Sequence, residues 1–322
     1  MACNTGIDAV KASSRDIKAR ILELKKLKKA IILAHYYVDG EIQDIADFVG
    51  DSLALAQQAA RHAADADIVV MCGVNFMGET VKMLCPDKKV LVPDTAAGCS
   101  LADSCPADEF EAFIKANPGH TVISYVNTSA EVKALTDILV TSSNALRIVK
   151  SLPEDTKIIF GPDRNLGSYI AAETGRDMLL WNGACHVHER FSAEGIARLK
   201  TEHPDAPVLV HPECPRPVRL MADKIGSTAA LLDYALASPA TEFIVATESG
   251  ILHQMRKGAP DKKFIPAPPV DSTCGCNDCA YMKLNTLAKL RDCLENESGE
   301  IKVDPELAHK ALRPIERMLE LS

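Results

Sequence analysis

Cysteine is the residue to start from. The 322-residue chain holds eleven cysteines, and three groups of them fall near one period. Cys99 in AAGCSLADSC and Cys185 in NGACHVHE lie 86 residues apart, and CGCNDC (Cys274, Cys276, Cys279) stands near the next expected position. A second series keeps almost the same spacing. His35, Tyr125 and His211 each end a short apolar run (AIILAH, TVISY, PVLVH) and are 90 and 86 residues apart. Seventeen residues after each comes a hydroxyl that opens a helical stretch: Ser52, Ser142 and Thr228. Thiolates are the usual ligands of iron–sulfur clusters, four to a cubane. A triplicated unit delivering one thiol per copy would hold such a cluster and leave one iron open, as catalytic metal sites do.

The polar residues around these positions extend the chemistry. His35 and Tyr37, Tyr125 and Asn127, and His211 and Glu213 are polar where a buried sheet should be apolar, so they point to loops at a shared face. Glu213 is the only carboxylate among these doublets, which makes it a candidate general base. Ser52, Ser142 and Thr228 sit where helix N-caps belong. Three helix amino termini aimed at one centre would also form an anion site suited to a phosphorylated or dicarboxylate substrate. The CxxC of Cys276 and Cys279 admits a zinc site completed by a further ligand such as Cys293, a redox dithiol or cluster ligation. Cys279 opens the helical stretch CAYMKLNTLAKL, where the helix dipole favours a thiolate. Cys3, Cys72, Cys85, Cys105, Cys214 and Cys293 read as bystanders. The chain contains neither a GxxxxGK[ST] loop nor a GxGxxG fingerprint, so a nucleotide cofactor is not supported.

Positioning these residues requires strands and helices in alternation. Short Ile- and Val-rich runs such as DIVVMCG, KVLVP, DILVT, KIIFG, MLLWN, EFIVAT and KFIPA suit strands buried on both faces of parallel sheets. Gly73, Gly161 and Thr247 follow equivalent strands, again 88 and 86 residues apart. The expected fold is α/β: three homologous three-layer αβα domains with parallel sheets around a pseudo-threefold axis. Residues 1–97 form the first repeat with an N-terminal helix, 98–183 the second and 184–280 the third. Residues 281–322 form a helical segment packing back on the core. Ligands bind at the carboxyl ends of such strands, so the shared centre is the expected site. Hydrophobic residues at 47% and charged residues at 25% are ordinary for a globular protein. A net charge of −8 argues against a nucleic-acid partner. No apolar run reaches bilayer-spanning length and no signal peptide is evident, so the expected setting is a reducing cytoplasm without a membrane partner.

At these residues the chain resembles the quinolinate synthase family, from AHYYVDGEIQDIAD through GDSL, GVNFMGETVK, GCSLADSCP, YVNTSAEVKA, VTSSNA, GPDRNLG, GACHVHE, HPEC and GSTAALL to CAYMKLN. The resemblance implies a [4Fe–4S] cluster held by Cys99, Cys185 and Cys279, with Cys274 and Cys276 accessory. It implies substrate contacts from His35, Ser52, Tyr125, Val126, Asn127, Ser142, His211, Pro212, Glu213 and Thr228. Tyr37 is implied as a catalytic candidate beside Glu213, His35 and His211. The implied reaction is a transferase step in NAD biosynthesis. It condenses iminoaspartate with dihydroxyacetone phosphate to quinolinate, phosphate and water, the iminoaspartate coming from an aspartate-oxidising enzyme upstream.

Overall fold

The computed structural model describes residues 4–271 and 277–322, with side chains from residue 14 onward. Cys3, Cys274 and Cys276 lie outside the described residues. Three four-stranded sheets follow one another along the chain. The first contains β1 (Ala30–His35), β2 (Phe48–Gly50), β3 (Ile68–Cys72) and β4 (Lys89–Leu91) in the order β2-β1-β3-β4. The second repeats that order with β5 (Thr121–Tyr125), β6 (Ile138–Val140), β7 (Ile158–Gly161) and β8 (Met178–Leu180), as β6-β5-β7-β8. The third does so with β9 (Val208–Val210), β10 (Lys224–Ile225), β11 (Glu242–Ala246) and β12 (Lys263–Pro266), as β10-β9-β11-β12. Every strand pair is parallel. Central strands such as β3 and β7 are buried along their whole length, which explains their unbroken apolar sequences. The α/β architecture of three similar units is therefore present as expected.

An aspartate pins the second strand of each unit to the first. Asp47, Asp137 and Asp223 accept the backbone N–H groups of Ile32, Val122 and Val208, each at 2.8 Å. Each aspartate also donates its own N–H to the carbonyl of that same residue, at 2.9 Å. The pin closes the turn that feeds β2, β6 and β10. Two of these, β2 and β10, were not expected as strands. With three and two residues they are too short to show a period of their own.

The chain ends brace the units. Ile21 and Leu24 of helix Asn4–Leu27 share a buried cluster with Leu290 and Leu294 of helix Leu287–Asn296. Helix Pro305–Glu320 buries Ala311, Ile315 and Met318 against Met83 of the first unit and Ala130 and Leu139 of the second. Its apolar residues fall at helical spacing on one face, which is why it docks as a single amphipathic strut.

Candidate active site

The strand carboxyl ends of all three sheets open onto one cavity. His35, Tyr37 and Ser52 reach it from the first unit, Tyr125, Asn127 and Ser142 from the second, and His211, Glu213 and Thr228 from the third. Cys99, Cys185 and Cys279 line the same cavity. Two residues implied by the resemblance stand apart from it. Val126 borders a smaller apolar space beside Ser52 and Phe76, and Pro212 is not among the residues lining the cavity.

The three hydroxyls are not the helix caps that the sequence suggested. Asp51 caps helix Ser52–His62 by accepting from Ala54 N–H, and Ser227 caps helix Thr228–Ala237 by accepting from Ala230 N–H. Ser142 lies in the turn before helix Ala145–Ser151, whose cap position is Asn144. Because Asp51 and Ser227 make the capping bonds and Ser142 lies outside its helix, these hydroxyls are free to serve the cavity. Thr228 Oγ1 is hydrogen-bonded to the Tyr37 hydroxyl at 2.7 Å, and Ser142 Oγ lies 3.3 Å from His211 Nε2.

Glu213 is the electrostatic centre. Its Oε2 lies 2.9 Å from His188 Nδ1 and 3.2 Å from His211 Nδ1, with all three side chains nearly fully buried. Burial pushes the carboxyl up, but the two imidazoles outweigh it and hold Glu213 below its usual range. His211 is itself pushed down by burial, with His188 adding to the effect. Burial likewise lowers His35 to about 3, with His211 adding and Glu213 opposing. Tyr37 and Tyr125 are both raised well above the usual phenol value, chiefly by burial.

Two members of this network were missed in the sequence. His188 Nε2 lies 3.0 Å from Thr247 Oγ1, and Thr247 Oγ1 lies 2.9 Å from the Tyr37 hydroxyl. A continuous chain therefore runs Glu213–His188–Thr247–Tyr37–Thr228. His188 stands three residues after Cys185, a spacing that places both on one side of a helical turn. That was its available signal. Thr247 had only its place in the repeat.

The cysteine loops share one local geometry. Backbone amides just past each cysteine pull its thiol down, those of Leu101 and Ala102 for Cys99, Val187 and His188 for Cys185, and Tyr281 and Met282 for Cys279. In each, the thiol sits at the start of a short helical turn. Burial nonetheless pushes all three thiols up, Cys99 to about 12. A buried sulfur ringed by N–H donors suits a thiolate bound to a cationic metal centre, and such bonds are a known lever on cluster potential. None of the three is in a disulfide. The donor set therefore fits a cluster held at three corners. Cys185, His188 and Glu213 also bring ligand atoms within 4.8 Å of one another, so the same wall could hold a metal ion.

The cavity wall also shows where a ligand would bind. Glu213 Oε1 and Asn127 Oδ1 are buried with no hydrogen-bond partner from the protein. Buried acceptors are normally satisfied, so these two mark positions for donors on a bound molecule.

The family described as "Quinolinate synthetase A protein" matches residues 19–320. The chain is 57% identical over 307 residues to a protein named quinolinate synthase from a Synechococcus species, covering 95% of each chain. It is 56% identical to the protein of that name from Thermosynechococcus vestitus, covering 95% of this chain and 96% of the relative. It is 53% identical over 310 residues to the one from Chloroherpeton thalassium, covering 96% of each.

Proposed function

We propose, for a chain that belongs to the quinolinate synthase family, that its cavity makes quinolinate for NAD biosynthesis by a transferase reaction. The substrates are iminoaspartate and dihydroxyacetone phosphate, and the products are quinolinate, phosphate and water. The observation that carries this reading is the meeting around Glu213 of one strand-end His or Tyr and one hydroxyl from each unit with one cysteine from the loop after each sheet's last strand. Cys99, Cys185 and Cys279 would hold a [4Fe–4S] cluster, which supplies a Lewis acid for dehydration when bound.

This chain's own residues bind, orient and move protons. Ser52 and Thr228 stand in the first turns of eleven- and ten-residue helices, respectively, where free N–H groups and the helix dipole favour carboxylate or phosphate. Asn127 offers a buried acceptor to a substrate N–H or O–H. Glu213, kept ionised by its imidazole partners, serves as general base through its unpartnered Oε1. The bonded chain through His188 and Thr247 connects that carboxylate to Tyr37, so a proton taken at Glu213 can return to substrate at the phenol. His35 and His211, neutral through burial, present imidazole nitrogens without adding positive charge.

Iminoaspartate would arrive from an aspartate-oxidising enzyme. The eight free thiols among the described residues suit a reducing cytoplasm. The test is quinolinate formation by anaerobically purified, cluster-loaded protein given both substrates. Product that disappears in Cys185→Ala supports the reaction and the cluster's part in it. Loaded protein that forms no quinolinate rejects the assignment.

A further inference from the structure

Two carboxylates outside the proton network sit behind the cysteine loops in matching positions. Asp163 follows β7 and Glu248 follows β11, the equivalent strands of the second and third units. They are 0% and 1% exposed. Each divides its two oxygens in the same way. One oxygen closes a local turn: Asp163 Oδ1 accepts from Leu166 N–H and Glu248 Oε2 from Gly250 N–H, both at 2.7 Å. The other crosses to a cysteine. Asp163 Oδ2 accepts the N–H of Cys185 at 3.2 Å, and Glu248 Oε1 accepts that of Cys279 at 3.0 Å.

We propose that Asp163 and Glu248 are positioning residues for the cluster, each fixing one ligand cysteine by accepting that cysteine's own backbone N–H. The inference rests on the cluster reading above. An anchor at the ligating residue itself leaves little beyond χ1 to define the sulfur, so the loop presents its thiolate in one place. The first unit is built differently. Val74 holds the matching place and has no side-chain acceptor, and the next residue, Asn75, donates from Nδ2 to the Thr95 carbonyl and from its backbone to the Ala97 carbonyl, each at 2.8 Å. The Cys99 loop is thus held upstream of the cysteine. Glu248 has a further reach. Its Oε1 lies 3.3 Å from Lys283 Nζ, which donates to the Tyr37 carbonyl at 2.9 Å. The third cysteine arm and the Tyr37 loop therefore share one anchor.

The test follows cluster retention in the full-length, anaerobically loaded protein, by iron release to a chelator and by Mössbauer spectra. Loss of an outer partner of a metal ligand typically costs about 10–100-fold in affinity. Glu248→Ala and Asp163→Ala should release iron faster by a factor of that order. Glu248→Gln keeps one oxygen for Cys279 N–H while giving up the bond from Gly250 N–H, and should stay much closer to wild type than Glu248→Ala. Asn75→Ala, which frees no cysteine N–H, should do the same. Asp163→Ala also removes a helix cap, so Glu248→Ala against Glu248→Gln is the deciding pair. Rescue by Gln, with an unchanged Mössbauer spectrum, supports the inference. A loaded Glu248→Ala protein that holds iron as long as wild type overturns it, as does Gln failing as badly as Ala. A wild-type chain that binds no iron removes the cluster reading itself, and this inference with it.

Discussion

Glu213 is buried beside two imidazoles and two tyrosines, and the role proposed for it depends on remaining ionised there. Replacing it by Gln preserves shape and one acceptor but removes the base. Proton transfer by a positioned side chain contributes about 10²–10⁴-fold, so Glu213→Gln should lower kcat by that order in protein with full iron content. Near-normal turnover would end the base assignment. His35 makes a second residue-level prediction. Its folded pKa is depressed to about 3 from 6.5 in the unfolded chain, so the unfolded state binds the extra proton between those values. The associated stability is fully present above about pH 6.5 and is lost as pH falls toward 3, by up to about 1.4 kcal/mol per pH unit. Anaerobic denaturation midpoints measured across that window should fall less steeply in His35→Gln than in wild type. Parallel slopes would mean His35 is not held neutral. These residues were legible because the repeat marks them. His188 and Thr247 were not, because their roles arise only when the Cys185 loop, β11 and Tyr37 meet across unit boundaries.

At the scale of elements, the repeat announced the three sheets but not what fastens them. Continuous apolar runs identified most strands, whereas β2 and β10 are defined by a neighbour and an aspartate rather than by their own sequence. The aspartates were visible in principle, since Asp47, Asp137 and Asp223 repeat at the same 90- and 86-residue intervals as His35, Tyr125 and His211. Their meaning was not, because an aspartate in a polar turn ordinarily reads as solvated. The caps misled for a related reason. A run such as DS or ST offers two capping residues, and the first took the role at Asp51 and Ser227, each backbone placing its second hydroxyl inward. The pins carry a direct prediction. Asp223→Ala frees the N–H of buried Val208 at the start of β9 and should cost about 1–3 kcal/mol. That lowers the thermal midpoint by a few degrees while kcat stays near wild type. A large loss of turnover at unchanged stability would show that the pin acts on the site rather than on the sheet.

For the whole molecule, the question is why three units must be held together with their strand ends facing inward. No single unit contains a complete site. The loop after each sheet's last strand brings one thiol, and burial pushes every one of the three up from its ordinary range. Without a metal centre the thiols are therefore neutral near pH 7, and the cavity carries no unpaired thiolate. Sheets, braces and core are built from contacts remote from the cysteines, including helix Pro305–Glu320 across the first two units. Removing the cluster should thus leave the fold standing. Chelation of anaerobic protein is expected to abolish quinolinate formation while far-UV circular dichroism stays unchanged. The thermal midpoint should fall, because a group that binds only the folded state stabilises it. Reloading must strip protons from the buried thiols, so it should slow as pH falls and release protons to the medium. Loss of helical signal on chelation would show instead that the cluster holds the three units together. Turnover that survives complete iron removal would leave the fold assignment intact and detach the chemistry from the cysteines.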